Sequence, residues 1–268
     1  MRLLMRSAIR RSRQLRNDEA DMTEQPIAGM VPPREMWAWV GAPDGFVEQG
    51  RSFFDYCVEK GRLAPTSAVL DIGCGIGKHA IHFAPFLHPD GRYEGFDVEP
   101  KGIDWCRSAI TPRFPNARFR HVDVRSAMYS PAGAAEAGAL RFPYGDAEFD
   151  FVFLASVFSH MFFPDMANYV AEIARVLKPG GRMLATGYFL GPYKKEGIAA
   201  GTSAFTFSIE HQGSWIERAD PPEAAVAHER PKFRALLAEH GLEVEEVRNG
   251  VWHRRAIQDQ DFFLARKL

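Results

Sequence analysis

Asp71, Asp97 and Asp123 follow one another at intervals of 26 residues, each at the end of a short apolar run. The first is followed at once by Gly73, Gly75 and Gly77 in "VLDIGCGIGKHA" (69–80). Glycines so spaced after a strand let the backbone come close to a ligand. In the G-x-G-x-x-G fingerprint that ligand is a pyrophosphate resting on the next helix. Here Lys78 takes the place of the third glycine, and Asp71 lies two residues ahead of the first. A carboxylate there repels phosphate and suits an ammonium or a water-bridged cation. Asp97 can accept paired hydrogen bonds from ribose hydroxyls, as in nucleotide folds. Asp123 can accept from an exocyclic adenine amine, with the Val124 N–H beside it. Each aspartate alone could equally cap a helix; the ordered set is what carries information.

Ribose, adenine and an aminoacyl end together describe S-adenosylmethionine. A sulfonium methyl is already activated, so a protein using it chiefly aligns the acceptor and excludes water. A hydroxyl acceptor also needs a general base. His160, in "SVFSHM" just past an apolar strand, has the right position and an ordinary pKa suited to neutral pH. It could instead pack on the following helix and orient a loop. His211, Trp215 and Tyr193 fall in a long insertion (190–228) with Phe205 and Phe207, and could wall an acceptor pocket or cover a sheet edge. His253 could reach the same mouth. Trp37, Trp39 and Phe46 suit a lid or a hydrophobic staple. His79 and His82 have no carboxylate completing a metal set and read as structural, so no metal is expected.

These residues need a scaffold, and the pattern supplies one. "AVLDIG" (68–73), "GRYEGFDV" (91–98), "ARFRHVDV" (117–124), "FDFVFLAS" (149–156) and "GRMLATGYF" (181–189) read as strands. Helical stretches alternate with them at 78–87, 101–110 and 165–177, the last stopped by Pro179-Gly180-Gly181. This alternation specifies a doubly wound α/β sheet. A helix over 230–242 is then followed by two strands, 243–249 and 261–268. Their connection is too short for a crossover helix, so the sheet ends in an antiparallel hairpin. Residues 131–148 read as a surface connection, and a helix is expected from about Glu48 to Lys60.

Residues 64–189 resemble the class I S-adenosylmethionine-dependent methyltransferases. "VLDIGCGIGKHA" is similar to their first motif, "GFDVEP" to the acidic ribose motif, and "HVDVRS" to the adenine motif. "FDFVFLASVFSHM" and "EIARVLKPGGRMLATGYF" resemble the fourth and fifth. The resemblance implies a Rossmann-like seven-stranded sheet, mostly parallel, whose last strand inserts antiparallel. It implies cofactor contacts from Asp71, Gly73, Cys74, Gly75, Gly77, Asp97 and Asp123. Val98 and Val124 would flank the adenine, and Leu154 and Ala155 the methionine part. Lys78 departs mildly from the family's turn. One domain over 31–268 is then expected, with a lid helix within 36–63 and a substrate-side insertion at 190–228.

Charge and motif content narrow the acceptor. The chain has a net charge of −1, yet six of its 33 basic residues are arginines in the first sixteen positions. The remainder is therefore acidic, which argues against a phosphate-tracking groove. "LASVFS" stands where amine-directed nucleic-acid methyltransferases carry [DN]-P-P-[YF], and no Pro-Cys pair offers a nucleophile for cytosine. These features favour a small-molecule acceptor, its hydroxyl on a sugar or other specialised metabolite, with a lipid or protein acceptor left open. A nicotinamide-dependent oxidoreductase and a non-catalytic cofactor-binding module are the alternatives. Residues 1–30 read as a basic tail without fixed structure, or as sequence ahead of a start at Met22 or Met30; an organelle-targeting or membrane-surface helix is the other reading. No apolar run suffices to span a bilayer. Three cysteines without a CxxC pair fit a reduced, cytoplasmic setting.

Overall fold

The computed structural model describes residue 27 and residues 29–41, 44–254 and 259–268. The basic arginine-rich stretch of the tail lies outside these. Met30, at the expected tail boundary, is fully buried.

Five parallel strands alternate with helices as the apolar runs predict. They are β1 (Ala68–Ile72), β2 (Arg92–Asp97), β3 (Ala117–His121), β4 (Phe149–Leu154) and β5 (Leu177–Leu190). Helix α1 (Phe46–Glu59) precedes them; α2 (Ala80–Phe86), α3 (Pro100–Ala109) and α4 (Phe163–Val176) connect them. After β5 come α5 (Pro192–Ala199) and the short strands β6 (Ile209–His211), β7 (Ser214–Ile216) and β8 (Val226–Glu229). The chain ends with α6 (Arg230–Glu239), β9 (Leu242–Arg248) and β10 (Asp261–Lys267).

The main sheet runs β3-β2-β1-β4-β5, and β10 continues it between β5 and β9. β10 is antiparallel to both, with Phe263 opposite Ala185 and Val247. These seven strands are the expected ones. Three more were not foreseen. β5 outruns β4, and its last residues, Tyr188 to Leu190, pair with Ala227 to Glu229 of β8. β7 and β6 then add antiparallel, so the insertion builds its own small sheet.

Period-2 alternation splits the core between the faces of the sheet. Val69, Phe153, Leu184 and Leu264 pack with Phe53, Cys57, Phe83 and Ile103 beneath α1, α2 and α3. Their chain neighbours Leu70, Val152, Ala185 and Phe263 pack with Val170, Ile173, Phe233 and Leu237 of α4 and α6. Strand order reverses between β1 and β4, so the carboxyl ends of β1, β2 and β4 open into one crevice. Among the described residues no helix is long and apolar enough to cross a membrane.

Candidate functional site

The turn after β1 forms the floor of that crevice. Gly73, Gly75 and Gly77 have φ of 76°, 53° and 81°, a region that disfavours side chains. Space is closed as well: a Cβ on Gly73 would lie 2.5 Å from Val157 Cγ2, and one on Gly75 2.6 Å from Val40 Cγ1. The glycines therefore let two flanking segments close on the turn. The N–H groups of Gly73 and Cys74 both donate to Phe96 O, at 2.9 and 3.1 Å, tying the turn to the end of β2.

Asp97 ends β2 and reads the same turn. Its Oδ2 accepts from Gly75 N at 2.7 Å and its Oδ1 from Glu99 N at 2.9 Å. Burial pushes its carboxyl pKa up, while the backbone N–H groups of Glu99 and Gly75 pull it down. Each oxygen accepts only one of these bonds and keeps a further lone pair.

The crevice is a cavity of about 1250 Å³. Gly73, Cys74, Gly75, Asp97, Val98, Val124, Ala155 and His160 all line it. Trp39 and Val40 border it on one side, Met128 and Tyr129 on the other, and Tyr188 and Phe205 at the insertion. Pockets for one drug-sized ligand run to roughly 300–1,000 Å³, so two molecules fit.

His160 sits in a short 3-10 turn, Phe158–His160, between β4 and α4. Its Nδ1 donates to Glu223 O at 2.8 Å, which fixes the proton on Nδ1 and leaves Nε2 as the acceptor. Nε2 makes no hydrogen bond among the described residues. Burial holds the pKa below its ordinary value, so the ring is neutral near pH 7. Tyr129 packs edge-on against it at 5.6 Å.

A family model for a methyltransferase domain matches residues 70–185, from β1 through the middle of β5. Residues 70–185 are thus a methyltransferase domain of the S-adenosylmethionine-dependent kind. The 27-O-demethylrifamycin SV methyltransferase of Amycolatopsis mediterranei is 30% identical over 67% of this chain and 55% of its own length. Methyltransferase GfsG of Streptomyces halstedii is 29% identical over 55% of this chain and 47% of its own. The chain thus spans about half the length of the curated relatives it matches. A solved S-adenosylmethionine-dependent methyltransferase from Methanosarcina mazei shares the fold, with a TM-score of 0.54 at 21% identity over 80% of this chain and 98% of that one.

Several expected residues of the methyltransferase site lie elsewhere. Asp71 is fully buried beneath the turn and does not line the cavity. Its Oδ2 accepts from the Tyr93 hydroxyl and its Oδ1 has no partner among the described residues. Burial raises its pKa to about 8 against the opposing Tyr93 hydrogen bond, which favours the protonated form at neutral pH. Asp123 is exposed, its Oδ1 accepting from Ala134 N at 3.3 Å. Gly77 and Leu154 pack beside the cavity without lining it; a Cβ on Gly77 would meet Ile110 at 2.8 Å.

The acceptor-side expectations fare similarly. Trp37 stacks on Phe46 at 5.3 Å and donates to Pro32 O, while its neighbour Trp39 faces the cavity. Tyr193 bonds to Asn249 and Arg230, and His253 packs edge-on against it at 5.2 Å. Trp215 donates to Glu229. His211 lies behind the cavity wall, its ring 4.7 Å from that of Phe162. None of these five lines the cavity.

Residues that the sequence did not announce hold the acceptor side together. Glu223 orients His160 through its carbonyl, and its Oε2 accepts from Ser126 Oγ at 2.7 Å. Gln260, from the far end of the chain, accepts from Thr186 Oγ1 at 2.6 Å and donates to Ser159 Oγ at 3.1 Å. These bonds pin the loop carrying Ser156, whose φ is 62°. Gln260 owes its place to Asp261, which accepts from Phe189 N, Gly250 N and Trp252 Nε1 and pairs with Lys194 at 3.0 Å, both partners 0% exposed. Only the tertiary structure brings these residues together.

Proposed function

We propose that this chain transfers the methyl group of S-adenosylmethionine to a hydroxyl oxygen of a bulky, largely apolar small molecule. The observation that carries the reading is His160, with Nδ1–H held by Glu223 O and a basic Nε2 left to the cavity. The cofactor supplies a methyl already activated on a sulfonium centre. Asp97 suits the ribose diol, with Val98 and Val124 beside the adenine and Ala155 toward the methionine part. His160 Nε2 would take the acceptor's proton as the acceptor oxygen bonds to the methyl carbon and the methyl–sulfur bond breaks, the neutral thioether S-adenosylhomocysteine being the leaving group; the imidazolium would then lose that proton to solvent.

Met128, Tyr129, Met161, Phe162, Tyr188 and Phe205 line the same cavity as His160, Tyr129 packing against its ring. Aromatic rings and adaptable methionines favour an apolar ring system over a bare sugar. A relative named for 27-O-demethylrifamycin SV agrees with an oxygen acceptor. The test is transfer of isotope-labelled methyl groups to a panel of apolar phenols and alcohols, with His160→Ala alongside. Transfer by the wild type that falls at least a hundredfold in the variant supports the reading. Transfer that His160→Ala leaves intact refutes the base, and labelling of amines alone refutes the oxygen acceptor.

A further inference from the structure

The turn that carries His160 is held from the insertion at 190–228 by more than the bond to Glu223 O. His228 of β8 brings its Nε2 to 3.0 Å from Phe158 O, two residues ahead of His160. A carbonyl only accepts, so His228 donates through an Nε2–H. A neutral ring so protonated keeps a lone pair on Nδ1, and Ser214 Oγ of β7 lies 3.3 Å from that atom and donates to it. Burial holds the His228 pKa down to about 4 against the opposing pull of the Phe158 bond, so the ring stays neutral at pH 7.

His228, Ser214 and Phe158 are each 0% exposed. The rings of Phe189 and Phe163 flank His228 at 6.1 and 6.5 Å. A polar ring in such surroundings costs stability unless its nitrogens are served. Here both are served, and one of them is spent on the backbone of the His160 turn. That turn, Phe158–His160, is a single 3-10 turn closed by His160 N donating to Val157 O at 2.9 Å, and has little stiffness of its own. One segment therefore grips it twice: β8 takes the backbone at Phe158, and Glu223, just before β8, takes the ring of His160.

We infer that His228 is a positioning residue for methyl transfer: its Nε2–H, oriented by Ser214, holds the Phe158–His160 turn so that His160 keeps its Nδ1–H on Glu223 O and its Nε2 free. The role rests on His160 acting as the base. It gives the insertion a task besides walling the cavity, which is to set the base.

Nitrogen–proton correlation spectra of the full chain carrying isotope-labelled histidine, recorded at neutral pH, read each ring's tautomer without turnover. The wild type is expected to show His160 in the Nδ1–H form and His228 in the Nε2–H form. His228→Met removes the donor and should move His160 toward the tautomer mixture of a free imidazole. Ser214→Ala, the milder change, should move it the same way by less. His228→Gln, whose amide can donate to Phe158 O, should keep the Nδ1–H form. Calorimetric affinity for S-adenosylmethionine should be unchanged in all three. With an acceptor that the wild type methylates, kcat should fall by about tenfold or more in His228→Met and recover in His228→Gln. Adding His228→Met to His160→Ala should cost little more than His160→Ala alone, because the two residues act as one unit. A wild type with His160 in the Nε2–H form overturns the arrangement without any variant. So do His160 resonances that stay in place in the folded His228→Met or Ser214→Ala chain, and so do rate losses that add in the double variant. Transfer that His160→Ala leaves intact overturns the base and this role with it.

Discussion

Replacing Asp71 by asparagine should stabilise this protein in mildly alkaline solution and change little in acid. The carboxyl is fully buried, and burial carries its pKa from 3.8 to about 8 despite the Tyr93 hydroxyl that opposes the shift. Between those two values the folded chain holds a proton that the unfolded chain has released. Stability therefore falls as pH rises through this window and levels off above about pH 8. Each pH unit across it is worth about 1.4 kcal/mol, so the whole window amounts to on the order of 5 kcal/mol. That is a large share of a domain's usual 5–15 kcal/mol or so. Asparagine keeps an oxygen for Tyr93 and carries no charge to bury. Urea denaturation of wild type and Asp71→Asn at about pH 5 and about pH 9 isolates the effect, since other titrating groups cancel between the two proteins. The variant should be the more stable by several kcal/mol at the higher pH, with the difference shrinking at the lower. A variant destabilised equally at both values would refute the reasoning, because it would show an ionised, well-solvated Asp71.

Three further outcomes follow from the geometry. Gly75→Ala should lose about 1–2 kcal/mol from the left-handed backbone alone; adding Val40→Ala should relieve the 2.6 Å contact but not that strain, as thermal unfolding of both variants would show. Because burial lowers the His160 pKa, the methyl-transfer rate should stay level above neutral pH and fall only on acidification below the ordinary histidine value, and this fall should vanish in His160→Gln. Asp261→Leu should cost about 3–5 kcal/mol by stranding Lys194 and three other donors, whereas Lys194→Met should cost less, because Phe189 N, Gly250 N and Trp252 Nε1 still serve the carboxylate in urea titrations.

The seven-stranded sheet was legible because each strand is a short apolar run whose alternate residues serve opposite faces, as Val69 and Leu70 do. The glycine turn and Asp97 were legible for a related reason: their chemistry is local, made by backbone within one βαβ unit. The burial of Asp71 was not legible, because sequence gives its place at a strand end but not its depth below the turn. The exposure of Asp123 was equally hidden, since its carboxylate accepts from Ala134 N of the following loop. β6, β7 and β8 escaped notice because three- and four-residue strands carry too few alternations to register. Aromatic content marked the insertion, yet the Tyr193 hydroxyl, Trp215 Nε1 and His253 Nε2 bond to Asn249, Glu229 and Arg254, and none of the three residues lines the cavity. Glu223 orients His160 through a backbone carbonyl, which no residue type can advertise.

The cofactor assignment underlies everything proposed for this site, and calorimetric titration of the full chain with S-adenosylmethionine tests it most directly. Saturable one-to-one binding is predicted, weakened at least tenfold in Asp97→Ala, or about 1.4 kcal/mol, with no heat from NAD at the same concentrations. A folded wild-type protein that binds no S-adenosylmethionine, or that binds NAD instead, would contradict it.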